Sequence, residues 1–139
     1  MKNRVFTGIG AIILGLLVSL GPQYLFRLCA PLADGSFMRC HWTGQAEIGL
    51  GALIALLGLG LALSPSAEVR LGLSVAAILA CAVVILMPNT LIGGCGMRSM
   101  ACRAVTFPAL TVAGTLGMIG FAVNALYLYR GQRRKAALQ

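Results

Sequence analysis

Four stretches of this chain, about Val5 to Phe26, Ala46 to Leu63, Val69 to Met87 and Ala104 to Tyr129, are almost wholly apolar, and none carries more than one charged side chain. A backbone in hydrocarbon must satisfy its own hydrogen bonds, so a run of about twenty apolar residues crosses a bilayer as a helix. The chain therefore reads as all-α integral membrane, a single domain over residues 1–139 with four transmembrane helices. Composition agrees: 59% of residues are hydrophobic and only 10% charged, against roughly 25% charged in soluble domains. Gly21-Pro22 interrupts the first span near its end, Pro88 is expected to close the third, and Ser64 to Glu68 forms a tight polar turn between the second and third.

The net charge of +8 is a topology signal before it is anything else. With both termini inside, the inner side carries Lys2, Arg4, Arg70, Arg130, Arg133, Arg134 and Lys135, and the outer side Arg27, Arg39, Arg98 and Arg103. This favours N-in, C-in and leaves no role in binding nucleic acid. The first apolar run is read as a retained helix, because no small-x-small cleavage site follows Ser19 or Leu20. Within lipid, close backbone approach replaces the hydrophobic effect as the packing force. Small residues at i, i+4 spacing therefore mark expected contact lines: Ala11-Gly15-Ser19, Gly51-Ala55, Gly72-Ala76-Ala80 and Ala109-Ala113-Gly117.

The chain also resembles itself. Leu20 to Cys29 aligns without a gap on Leu86 to Cys95, both reading Leu-x-Pro-(Gln/Asn)-x-Leu-(apolar)-x-x-Cys. Met38-Arg39-Cys40 follows the first block and Met100-Ala101-Cys102 the second. Two tandem helical hairpins, a parallel internal repeat, account for this, and place two cysteine-bearing outer loops (about 27–45 and 88–103) on the same side. The amide after each proline, Gln23 or Asn89, is expected to turn or cap the backbone there.

Five cysteines then divide into two repeated pairs and one buried thiol, Cys81, read as a packing residue. Outside the cell disulfides persist, and the repeat favours Cys29–Cys40 with Cys95–Cys102. Each closure would stabilise its loop by roughly 3 kcal/mol, and pairs crossing between the loops are the alternative. Three readings follow. The first is a structural, disulfide-braced cap with no cofactor. The second is a thiol–disulfide oxidoreductase using Cys29, Cys40, Cys95 and Cys102 to pass electrons from a partner dithiol to quinone, with Arg39, His41, Arg98 and Arg103 favouring thiolates. Against it stand the absence of Cys-x-x-Cys and the ten and six residues that separate the pairs. The third is a soft copper(I) cluster of Met97, Met100 and Cys102, with Met38, Cys40, His41 and Cys95 as further donors.

Three acidic residues, Asp34, Glu47 and Glu68, and one histidine do not furnish both a carboxylate pair and a triad. His41 and Trp42 read as interfacial residues, Glu47 as an anion near a helix start that pairs with Arg39 or Arg103, and Asn124 as a hydrogen-bonding residue within the fourth helix. These four are the candidates for partner or ligand contact.

In Cys29, the stretch Met38 to Gly49 with its Cys40-His41-Trp42 core, and Pro88 to Cys95, the chain resembles a bacterial family of small four-helix membrane proteins, domain of unknown function 4418. The likeness covers about Lys2 to Tyr129. It implies a multi-pass protein of the bacterial cytoplasmic membrane, brings no activity or catalytic residues, and points weakly to ABC-type export permeases as partners. The resulting expectation is a non-enzymatic accessory or interaction subunit in the lipid bilayer, with homo-oligomers a further option.

Overall fold

The structure is a computed structural model that describes residues 2–25, 33–37, 39–93 and 102–138, with the side chains of Lys2, Leu25, Cys40 and Cys102 excepted. All regular structure among the described residues is helical. Helix α1 (Lys2–Leu20) ends in a π-helical turn, Gly21–Leu25. Helices α2 (Arg39–Leu63) and α3 (Ala67–Leu86) are joined through Ser64, Pro65 and Ser66, and a second π turn, Met87–Leu91, extends α3. A third, Cys102–Thr106, leads into α4 (Phe107–Ala137). Four segments are long and apolar enough to cross a membrane, Asn3–Tyr24, His41–Leu63, Ala67–Leu91 and Arg103–Ala137.

Two boundaries differ from the sequence expectation. Helix α2 begins at Arg39 rather than near Ala46, because Thr43 and Gly44 face the interior and the chain is already packed there. Pro88 closes the α geometry of α3, which ends at Leu86, but not the helical run, which continues as a π turn. A proline cannot donate to the carbonyl one turn back, and here the chain widens: the Ile92 N–H donates to the Met87 carbonyl at 3.1 Å. Side chains serve the carbonyls of the preceding turn, Asn89 Nδ2 donating to Ile85 O at 2.7 Å and Thr90 Oγ1 to Leu86 O at 3.0 Å. Asn89 thus fills the turning role expected of the amide after proline.

Antiparallel α1 and α2 pack through glycine. A Cβ built on Gly15 would lie 2.6 Å from the Gly51 carbonyl oxygen and the Ala55 nitrogen, and one on Gly51 2.5 Å from the Gly15 oxygen. Gly58 meets Ala11 and the Gly8 carbonyl in the same way one interface turn further along. Helices α3 and α4 pack on Gly114, against Ile85 and the Cys81 carbonyl, and on Gly117, against Cys81 and Leu14. The first two small-residue lines expected from sequence, and Ala113 and Gly117 of the fourth, lie at these contacts. The third is corrected in part: Ala80 is buried as expected, but Gly72 is exposed with open space around it and Ala76 is only partly covered, and the remaining buried residues of α3 are Ser74, Ala77, Cys81 and Val84. Residue size alone did not fix the contact line, since Cys81 supplies the small surface that the glycines of α4 meet.

Burial repeats along the chain. Gly8, Ala11, Gly15, Val18 and Pro22 are buried, and so are Ser74, Ala77, Cys81, Val84 and Pro88, sixty-six positions further on. Thr43, Glu47, Gly51, Ile54, Gly58 and Leu61 are buried, and so are Thr106, Leu110, Gly114, Gly117, Phe121 and Asn124, sixty-three positions further on. Both proline-centred π turns occupy equivalent positions. The Met-x-Cys segments align one residue out of this helix register. The π turn Cys102–Thr106 absorbs that residue, as a π turn is an α-turn with one residue inserted.

Replacing Gly51 by Leu is expected to lower thermal stability in detergent by about 1–3 kcal/mol, because the clash is with backbone. Gly49→Leu, on the open face of the same helix, is expected to change it by less than about 0.5 kcal/mol. Equal melting shifts for the two variants would show that the glycine contact does not hold α1 against α2.

Candidate functional site

The helix order brings the ends of α1 and α3 and the starts of α2 and α4 together at one end of the bundle, the loop end, with both termini at the other. At the loop end Thr43 is buried and its hydroxyl donates to the Gly93 carbonyl at 3.1 Å, tying α2 to the segment after α3. Gly93 has φ +73°, a left-handed conformation that glycine adopts without a Cβ penalty. His41 stacks on Phe37, ring centroids 4.3 Å apart, and meets Trp42 edge-on at 5.9 Å. Trp42 is exposed, as an interfacial side chain would be.

Glu47 lies one helical turn from both Thr43 and Gly51 on the inward face of α2, and it is 0% exposed. Neither carboxylate oxygen has a hydrogen-bond partner among the described residues. The expected pairing with Arg39 or Arg103 is thereby corrected: both arginines are exposed, whereas Glu47 shares its face with Gly51, which is packed on α1. A buried carboxyl without a donor is costly, and its equivalent in the second half is Leu110, also buried. At the same end of the bundle, a cleft of about 630 Å³ opens between the ends of α3 and α4. Pro88, Phe107, Pro108 and Val112 give it an apolar wall, and Asn89, Arg103 and Thr111 a polar one.

The cysteines bear on this end only through their backbone. Cys40 lies in the first turn of α2 and Cys102 opens the π turn before α4, while their side chains lie outside the described residues. Cys29 and Cys95 lie outside them altogether, as do the copper candidates Met97 and Met100 and the further donor Met38. Cys81 is buried at the α3/α4 contact with a free thiol, a packing role.

Asn124 sits near the opposite end and is 5% exposed. Its Nδ2 donates to Ser74 Oγ at 2.8 Å, and its Oδ1 accepts from Thr7 Oγ1 at 3.3 Å and Asn3 Nδ2 at 3.4 Å. Ser74 Oγ in turn donates to the Arg70 carbonyl at 2.8 Å. The amide expected to reach another helix thus joins α1, α3 and α4 of its own chain, which leaves it committed rather than presented to a partner. Thr43 and Ser74 escaped the sequence reading, though their lone hydroxyls on inward helix positions were the available signal.

A filled four-helix bundle with membrane-length apolar helices defines a multi-pass membrane protein. The family model for domain of unknown function DUF4418 matches residues 11–128, and the chain belongs to that family. No curated protein and no solved structure matches it.

Asn124→Leu removes the bonds that link α4 to Ser74 and Thr7, leaving each hydroxyl only the carbonyl one turn back on its own helix, and is expected to cost about 1 kcal/mol in detergent unfolding. Glu47→Leu, which copies Leu110, is expected to raise stability by on the order of 1 kcal/mol. A lower melting temperature for that variant would mean that the carboxyl is held by a partner.

Proposed function

We propose that this protein is a non-catalytic accessory subunit of a membrane complex in the bacterial cytoplasmic membrane. It is built as two tandem hairpins, N-in and C-in, and its outer face is a cap braced by Cys29–Cys40 and Cys95–Cys102. The observation that carries the reading is the matched burial at the two registers, with equivalent glycine contacts at Gly51 and Gly114. Such packing makes a stiff stalk, and it supports two equivalent cysteine segments held at one end for a partner to read. An ABC-type permease is the partner class proposed. Copper(I) binding by Met97, Met100 and Cys102 is a lesser reading that metal content after anaerobic purification decides.

A second reading draws on the cleft at the loop end. Its apolar wall and its Asn89, Arg103 and Thr111 edge suit a lipid-soluble ring with carbonyl oxygens. On this reading a partner dithiol loses two electrons and two protons to become a disulfide, and a quinone bound in the cleft takes them up as quinol, with the cysteine pairs as relay.

One set of measurements separates the two. For the accessory reading, Cys29, Cys40, Cys95 and Cys102 resist alkylation until the protein is reduced. Cys29→Ser with Cys40→Ser lowers stability by about 3 kcal/mol, and extraction from native membranes returns the chain with a second protein. Dithiol-dependent reduction of a menaquinone analogue by the purified chain would replace that reading with the oxidoreductase. Extraction of the isolated chain alone would remove the accessory role.

A further inference from the structure

Arg4 and Arg70 occupy equivalent positions on the first helix of each half, sixty-six residues apart. Both are half-buried, and Arg4 Nε, Arg70 Nε and Arg70 Nη2 are buried without a hydrogen-bond partner. The two flank the Asn124 network. Arg4 lies between Asn3 and Thr7, which donate to that amide, and Arg70 lies one turn before Ser74, which receives its other bond.

Two guanidinium groups at the same end of the bundle, with N–H groups that no described residue accepts, call for an anion. No carboxylate side chain among the described residues supplies one. Asp34 and Glu47 belong to the opposite end, and Glu68, two residues before Arg70, is exposed on a different face of α3. Lys2, Arg130, Arg133, Arg134 and Lys135 make the surroundings more basic still.

An apolar groove of about 280 Å³ begins at Thr7, within one turn of Arg4, and runs between α1 and α4 along Phe6, Gly10, Leu14, Gly117, Gly120 and Phe121. Apart from its own helix backbone and chain neighbours, nothing among the described residues lies within 4 Å of where a Cβ on Gly10 or Gly120 would stand. From Thr7 to Leu14 the groove spans about 10 Å of helix, short for a docked helix and suited to a flexible chain. We infer that this end of the bundle binds one anionic phospholipid, its phosphate between Arg4 and Arg70 and one acyl chain in the groove between α1 and α4. The inference is independent of the accessory reading, because it uses neither the cysteines nor a protein partner.

The test is native mass spectrometry of the full chain in a neutral detergent, with added phosphatidylglycerol, phosphatidylcholine or inorganic phosphate. One phosphatidylglycerol is expected to stay bound, with about tenfold preference over zwitterionic phosphatidylcholine, and inorganic phosphate should neither bind stably nor compete. Arg4→Gln with Arg70→Gln should reduce retention about tenfold, whereas Arg133→Gln with Arg134→Gln in the exposed tail should change it less than about twofold. Gly120→Leu fills the groove without meeting backbone, keeps both arginines, and should weaken phosphatidylglycerol binding about fivefold. It decides the matter even if the double arginine variant fails to fold. Equal retention of the two lipids, full competition by inorganic phosphate, or unchanged binding in Gly120→Leu would each overturn the inference. So would a dimer that Gly120→Leu converts to monomer, since a second copy would then be the occupant.

Discussion

Helix association in lipid lacks the force that drives soluble cores together, since a side chain leaving the acyl chains gains little by touching another. What holds α1 to α2 is backbone laid against backbone at Gly15 and Gly51, an approach so close that a methyl group on either would penetrate its neighbour. The rest of the bundle depends on that contact. It sets the rotation of α2, so that Thr43, Glu47, Ile54 and Leu61 all turn inward. The same arrangement at Gly114 sets α4, and so carries Asn124 to Ser74 and Thr106 to the interior.

Polar groups collect at the two ends of this packed shaft and do different work. At the end with both termini, one amide bonds to side chains of two other helices, and the half-buried Arg4 and Arg70 lie within a turn of its partners. At the loop end the chain leaves regular α geometry through proline-centred π turns, where Asn89 and Thr90 serve the carbonyls of the turn before. A wider turn lets the helix run on past a residue that would otherwise end it. The cleft between Pro88 and Phe107 lies beside this widening.

Spans, packing glycines and the repeated proline blocks were legible because each is a local property of composition or spacing. Gly15 and Gly51 could be found by counting in fours. The contact line of α3 was legible only at Ala80: Gly72 and Ala76 are as small, yet the rest of the buried line runs through Ser74, Ala77 and Cys81, because the facing helix and not residue size selects the face. Glu47 was misread for a related reason. Its position near a helix start suggested a surface ion pair, and only the rotation imposed by Gly51 turns it inward. Asn124 was legible as a bonded residue, but its partners Ser74, Thr7 and Asn3 belong to distant turns that no local pattern connects.

The two halves agree in which positions are buried and differ in what fills them. Gly8 and Leu61 in the first half correspond to Ser74 and Asn124 in the second, so two buried apolar positions in one are a hydrogen-bonded pair in the other. At the loop end the difference is reversed, with Glu47 in the first half against Leu110 in the second. Packing explains neither choice, because the apolar residue at the equivalent position is itself buried. The Ser74–Asn124 pair has an evident physical role: it links α3 to α4 and, through Thr7, reaches α1 across the looser side of the bundle. Glu47 has no such internal role, for its oxygens meet no donor among the described residues. A carboxyl buried where leucine suffices in the twin half is a cost to stability that the shaft alone does not offset.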